Sequence, residues 1–414
     1  MKRILILMSD TGGGHRASAD ALRDAFNERY ATQLHVDMVD LWLDHTPPPL
    51  NRAPMGYRFL VDDLPWLYKF IYAVGENPQT TEPLLATASR LLSRPISRVI
   101  RQYSPDLILS VHPLMQCIPW RVLKRMKRDI PFVTVVTDLI NVHPVWYDRN
   151  VTLCFVPSQA AYNLALKAGL QPEQLRLHGL PIRPAFGRPQ RPKAEIRREL
   201  GMLPDAPAVL IVSGGEGMGR IGEVAQAVDQ RLAVDGQGRG KPAGQQVVVC
   251  GRNQRLEEDL RAWPWSIPTL VKGYVNNIWD WMAACDCVIS KAGPGTIAEA
   301  LALGLPVLVV GYIPGQETAN VLYVLKNGVG VYNDDPRQVA EIISGWFGPE
   351  RDVMAQFAER ARHLGRSNAT SQIVDDIAAL LQQQGDAPRC FSGQNRRRRA
   401  SVHPGAEAGR WQSS

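Results

Sequence analysis

Two stretches of this chain, one at its start and one at its middle, open on the same pattern. Arg3–Met8 is a short apolar run that enters the glycine-rich turn Ser9-Asp-Thr-Gly-Gly-Gly-His15, followed by a helical pattern from Arg16 to about residue 31. Ala208–Val212 enters Ser213-Gly-Gly-Glu-Gly-Met-Gly219 in the same way, followed by a helix to about residue 233. A strand that passes through glycine into a helix gathers backbone N–H groups at the helix start, so this pattern restricts the fold strongly. Further apolar runs follow in each half: Leu34–Val39, Leu107–Val111, Phe132–Val136 and Cys154–Val156, then Val247–Cys250, Cys287–Ser290 and Pro306–Val310. Strands apolar on both faces and separated by helices build parallel sheets covered on both sides. The expected class is therefore α/β, with two Rossmann-like doubly wound domains, and 414 residues are enough for both.

The joint falls at Gly179-Leu-Pro-Ile-Arg-Pro-Ala-Phe186, where two prolines oppose a continuous helix. We divide the chain into 1–186, 187–365, a final helix within 366–384 carrying Ile373, Ile377, Leu380 and Leu381, and a tail over 385–414. The tail has few apolar residues and carries Arg396–Arg399, a composition that predicts disorder. Gly236–Gly244 reads as a glycine-rich surface loop. No stretch approaches the roughly 18–20 uninterrupted apolar residues of a spanning helix. The Ile4–Met8 run is too short for a signal-peptide core, and the six cysteines show no zinc spacing. A reduced cytosol is the expected compartment.

Charge is unevenly distributed. Residues 1–190 hold 22 basic and 16 acidic side chains, residues 191–384 hold 19 and 22, and 385–414 hold 6 and 2. A basic first half suits a polyanionic partner, either nucleic acid or an anionic bilayer. Between the prolines at 47–49 and Pro78, Tyr57, Phe59, Trp66, Tyr68, Phe70 and Tyr72 are interleaved with Arg52, Arg58 and Lys69. That segment reads either as a helix on the core or as an element entering a membrane surface.

The strongest chemical signal is Lys291-Ala-Gly-Pro-Gly-Thr-Ile-Ala-Glu299. Gly293, Pro294, Gly295 and Thr296 lie where a helix start, near Thr296, offers amides to a diphosphate. Glu299, one turn on, is placed to hold ribose hydroxyls. Gly273-Tyr274-Val275 offers a backbone edge for a base, and Pro314-Gly-Gln316-Glu317 an amide and a carboxylate beyond the next strand. All three fall at expected C-terminal strand edges, where open α/β sheets bind ligands. Donors from Gly214, Gly215 and Gly217 can add to the diphosphate site. The first glycine loop lacks the P-loop lysine, but His15 at the helix start can act as a general base or serve merely as a cap. Asp138, at a strand end, can orient His15, replace it as the base, or cap its own turn. There is no Asp-x-Asp triplet, so a metal-free mechanism without cofactor is expected.

Ser9-Asp-Thr-Gly-Gly-Gly-His-Arg-Ala-Ser18, Ser110-Val-His-Pro-Leu-Met-Gln116, Thr137-Asp138, Gly214-Gly-Glu-Gly-Met218, Cys250-Gly-Arg-Asn253, Trp281–Glu299 and Tyr312-Ile-Pro-Gly-Gln-Glu317 together strongly resemble monogalactosyldiacylglycerol synthases of glycosyltransferase family 28. The resemblance runs from residue 1 to about 384. It implies a GT-B fold, with the lipid acceptor on the first domain, the UDP-sugar on the second, and the last helix returning to the first. It implies inverting transfer of galactose from UDP-galactose to the 3-hydroxyl of 1,2-diacylglycerol, giving the β-galactoside and UDP. His15 is then the base, Glu299 the ribose ligand, and Gln316 and Glu317 the sugar ligands. Such enzymes are peripheral membrane proteins, expected here at the cytoplasmic face, and anionic lipids are expected partners.

The rival with the same fold is a diacylglycerol glucosyltransferase using UDP-glucose. A GlcNAc transferase on a polyprenyl-linked acceptor matches the quoted segments less well. A UDP-sugar epimerase would have no use for an aromatic membrane segment. Nucleic acid is not expected as a partner, because Arg396–Arg399 lacks aromatic interleaving.

Overall fold

The computed structural model describes residues 1–9, 14–46, 48, 51, 64, 66–67, 71, 74–75, 77–189, 191–215, 217, 219–236 and 243–386. Tyr57, Phe59, Tyr68 and Phe70, and all but the start of the 385–414 tail, lie outside the described residues.

Two six-stranded parallel sheets organise the chain. The first contains β1 (Lys2–Met8), β2 (Leu34–Asp40), β3 (Leu107–Ser110), β4 (Phe132–Val135), β5 (Leu153–Val156) and β6 (Leu175–Leu177), in the spatial order 2-1-3-4-5-6. The second contains β7 (Ala208–Val212), β8 (Gln245–Val249), β9 (Thr269–Lys272), β10 (Cys287–Lys291), β11 (Val307–Gly311) and β12 (Gly330–Tyr332), in the order 12-11-10-7-8-9. The chain reverses its direction of winding between β1 and β3 in one sheet, and between β7 and β10 in the other. Crevices open beyond the C-terminal ends of strands at such points. The turn at Gly214, Gly215 and Gly217 leaves the sheet there after β7, and helix Gly14–Tyr30 starts there after β1; residues 10–13 lie outside the described residues.

Every strand expected from the sequence is present, and three more appear. β6, β9 and β12 are sheet edges. An edge strand need not be apolar on both faces, and Thr-Leu-Val-Lys in β9 is only partly buried along its whole length. The continuous apolar run that marks an interior strand is absent there. The helix at the diphosphate motif spans Pro294–Ala302, starting two residues earlier than expected, with Gly293 as its N-cap. Proline suits the first helical position, where its missing N–H leaves no bond unmade.

Alternate residues of each strand serve opposite faces. Ile4, Ile6 and Met8 pack with Leu22 and Phe26 of helix Gly14–Tyr30 and with Ile373, Ile377 and Leu381 of helix Ala369–Asp386. The last helix is thus part of the first sheet's core, and Arg29 holds Asp375 at 2.8 Å beside it. Leu5 and Leu7 pack on the other face with Ile96, Val99 and Ile100 of helix Ser93–Tyr103. In the second sheet Val209 and Ile211 pack against Val228, Ile343 and Trp346. Leu210 and Val212 pack with Trp281 and Ile297, and with Leu180, Ile182 and Phe186 from the joint. The joint is therefore anchored in the second core rather than loosely linked. Among the described residues no helix is long and apolar enough to cross a membrane.

Candidate active site

His15 is the second residue of helix Gly14–Tyr30 and is buried. Its Nδ1 lies 2.7 Å from Thr137 Oγ1 and 3.1 Å from the Val111 carbonyl oxygen. A carbonyl only accepts, so Nδ1 carries the proton and Nε2 is the basic nitrogen of the neutral ring. Val111 follows β3 and Thr137 follows β4, so the first sheet itself fixes the tautomer. The His112 ring stands edge-on at 4.6 Å, and Trp146 lies 6.0 Å away. Burial, with a smaller contribution from His15, pushes the His112 pKa well below its ordinary value. The Leu114 N–H donates to His112 Nδ1, which places the proton of the neutral ring on Nε2. Beneath this pair the Gln116 amide donates to Ser110 Oγ, and Thr134 Oγ1 donates to Gln116 Oε1, holding the loop after β3.

Asp138 is also buried, but its oxygens accept from Trp146 Nε1 at 2.6 Å and from Gln316 Nε2 at 3.5 Å. Thr137 and Val111 hold His15 Nδ1, while the Asp138 oxygens meet Trp146 and Gln316; orienting His15 was one of three roles open to Asp138. The Gln316 contact crosses from the second sheet's loop to the first sheet's. A second crossing runs beside it, from Asn141 Nδ2 to the Gly315 carbonyl at 2.8 Å.

On the facing side Gly293, Pro294, Gly295 and Thr296 form the first turn of helix Pro294–Ala302, and a Cβ added at Gly295 would meet nothing within 4 Å. The turn therefore presents open backbone. The Lys291 ammonium, at the end of β10, lies 2.5 Å from Glu317 Oε1 and next to Gly214 and Gly293. Glu317 Oε2 accepts the Ile313 N–H at 2.8 Å, so both oxygens already have protein partners. Glu299 lies one turn into the helix, its side chain 12% exposed, and is ion-paired at 2.8 Å with Arg183 of the joint. Burial raises its pKa above the usual carboxylate range, and Arg183 pulls it part of the way back.

Gly214, Gly215 and Gly217 form the turn after β7. Gly217 has φ +61°, and a Cβ there would sit 2.0 Å from the Cys250 carbonyl oxygen. The Gly215 carbonyl accepts the Arg252 N–H at 2.8 Å. Tyr274, just beyond β9, is half exposed, with the Arg252 guanidinium 5.1 Å from its ring centre, while Val275 packs on the core. Trp66 of the aromatic segment is 68% exposed. The structure thus gathers His15, Asp138 and Gln316 around one crossing point, and the Gly214–Gly217 turn, Gly293–Thr296, Glu299 and Glu317 around the second sheet's crevice. Thr137, Lys291 and Arg183 were quoted in sequence motifs but given no role there. The signal was available only for Lys291, a cation at a strand end beside a glycine turn.

Two doubly wound sheets whose C-terminal loops meet define the GT-B glycosyltransferase architecture. MurG of Acinetobacter baumannii shares it, with a TM-score of 0.56 at 15% identity, over 92% of this chain and all of that one. A family model described as monogalactosyldiacylglycerol (MGDG) synthase matches residues 15–182, and one described as glycosyltransferase family 28 C-terminal domain matches 208–344. The monogalactosyldiacylglycerol synthase of Spinacia oleracea, described as chloroplastic, is 47% identical over 92% of this chain and 73% of its own length. A probable monogalactosyldiacylglycerol synthase of Nicotiana tabacum is 45% identical over 94% and 72%. The chain belongs to the monogalactosyldiacylglycerol synthase family.

Proposed function

We propose that the protein transfers galactose from UDP-galactose to the 3-hydroxyl of 1,2-diacylglycerol with inversion, releasing monogalactosyldiacylglycerol and UDP. His15 Nε2 takes the hydroxyl proton as the oxygen forms its bond to the anomeric carbon and the bond to UDP breaks on the opposite face. Charge developing on the departing diphosphate is met by the Gly293–Thr296 amides, the turn at Gly214, Gly215 and Gly217, and the Lys291 ammonium. Glu299 holds the ribose, and Tyr274 and Val275 border the base. Gln316 and Glu317 receive the sugar hydroxyls, Glu317 through lone pairs left over from Lys291 and Ile313. In this reading 1–186 carries the acceptor and 187–365 the donor, with 366–384 returning to the acceptor side. Asp138 orders Trp146 and Gln316 beside the base.

The observation that supports this most directly is the ring of His15, whose Nδ1 proton is committed to a backbone carbonyl. That leaves the other nitrogen basic at the start of helix Gly14–Tyr30. The protein acts peripherally at a membrane, on its cytoplasmic face, with anionic lipids as partners of the basic first half.

Incubating the purified protein and diacylglycerol with labelled UDP-galactose or labelled UDP-glucose, then identifying the lipid product, tests the assignment. Galactolipid from the first donor alone is expected. A glucolipid as the main product would replace it with the glucosyltransferase reading.

A further inference from the structure

Helix Ser93–Tyr103 buries Ile96, Val99 and Ile100 in the first core, which turns the opposite side to solvent. That side carries Arg94, Arg98 and Arg101, four and three residues apart and so on one stripe. With Ser93, Ser97 and Gln102 they line an open groove of about 730 Å³. Arg90, at the end of helix Pro78–Leu91, is exposed one turn earlier. Among the described residues no ion pair joins any of these four arginines to an acidic group; Glu82, the acidic residue of that helix pair, is bound to Arg121. Like charges at this spacing repel one another on a helix, so nothing among the described residues explains the stripe.

Beside it, Leu84 is 65% exposed and Leu91 is 75% exposed. They are seven residues apart on helix Pro78–Leu91, two turns along one face. A nucleic acid or a free phosphate would use the arginines and leave the leucines in water. A bilayer uses both, guanidinium groups at the headgroup phosphates and leucines at the acyl boundary.

We propose that helices Pro78–Leu91 and Ser93–Tyr103 form a docking face for an anionic bilayer, in which Arg94, Arg98 and Arg101 hold lipid phosphates and Leu84 and Leu91 enter the acyl boundary. This rests on the membrane-enzyme reading above and gives it a surface on two helices of the first half.

The test is co-sedimentation with phosphatidylcholine vesicles and with vesicles containing about a third phosphatidylglycerol, each at low and high salt. Each arginine contributes about fivefold at such a surface, so R94Q/R98Q/R101Q should lose on the order of a hundredfold in affinity for the anionic vesicles. The triple lysine variant should retain most of it. L84S/L91S should weaken the binding that survives high salt. Turnover of a detergent-dispersed diacylglycerol should be the same in all variants, showing that they remain folded. Equal anionic-vesicle binding by the wild type and the glutamine variant would overturn the proposal. So would loss of affinity for an oligonucleotide or inorganic phosphate with vesicle binding intact. Arginine-dependent vesicle binding by a protein that makes no galactolipid would sink the functional reading and leave the surface standing.

Discussion

At the residue scale the decisive group is the His15 ring, and its neighbours make its role testable. His15→Ala should abolish galactose transfer, a loss of at least about a hundredfold, while UDP binding measured by calorimetry survives. Thr137→Val removes the shorter of the two Nδ1 contacts and leaves the Val111 carbonyl. Its kcat should fall about tenfold with little change in KM for the donor. Nitrogen NMR of labelled histidine should then show the proton still on Nδ1 with a shifted resonance from the lost contact; an unchanged spectrum would remove Thr137 from the mechanism. His112 offers a separate, pH-linked prediction. Its folded pKa is depressed by burial, so between that value and the ordinary 6.5 the unfolded chain binds a proton that the native one does not. Stability is therefore lost as pH falls through about 6.5, by up to about 1.4 kcal/mol per unit. Urea midpoints at mildly acid and neutral pH should differ less in His112→Gln than in the wild type. His15, Glu299 and the glycine turns were legible in the sequence because residue type and motif position already restrict their chemistry. Thr137 and Arg183 were not, because each acts through a partner far away in the chain that only the packed fold brings near.

At the element scale, the interior strands and the edge strand β2 were legible and the edges β6, β9 and β12 were not, for one physical reason. A strand covered on both faces must be apolar throughout, as Ala208–Val212 is, whereas β6, with Leu-Arg-Leu, meets the core along only part of its length. The turn after β7 shows a constraint of another kind. Gly217 combines a positive φ with a Cβ position inside the Cys250 carbonyl, so no other residue fits without moving the turn. Gly217→Ala should displace the Gly214–Gly217 turn from β8, costing roughly 2–4 kcal/mol in stability, and should weaken UDP binding more than tenfold. Gly295→Ala is the contrast, since its Cβ position is open. That variant should fold normally and lose affinity only through crowding of the ligand. If Gly217→Ala binds UDP as well as the wild type does, the turn has no part in the donor site.

At the scale of the whole molecule, the proposed base and the proposed leaving-group site belong to different sheets, so the proposed catalysis depends on what holds the sheets in register. Among the described residues, Asn141 to Gly315 and Gln316 to Asp138 cross between the sheets near the cleft, and Arg183 of the joint meets Glu299. The last is the most consequential, because a joint arginine is bound to the carboxylate assigned to the ribose. Arg183→Met leaves Glu299 buried without its cation, and the loss should be about 3 kcal/mol near neutral pH. The sign of the pH effect follows from the raised pKa. Above the ordinary 4.5 and below its folded value, Glu299 binds a proton in the native state that the unfolded chain lacks. Removing Arg183 lifts the folded value further, so the variant should be less destabilised at pH 5 than at pH 8. Arg183→Met combined with Glu299→Gln should recover most of the stability, because no buried charge remains, yet should not recover donor affinity, because the ribose ligand is gone. Urea denaturation of the four proteins of this cycle, paired with UDP titrations, separates the two roles. Recovery of both stability and affinity in the double variant would show that Glu299 serves the joint alone.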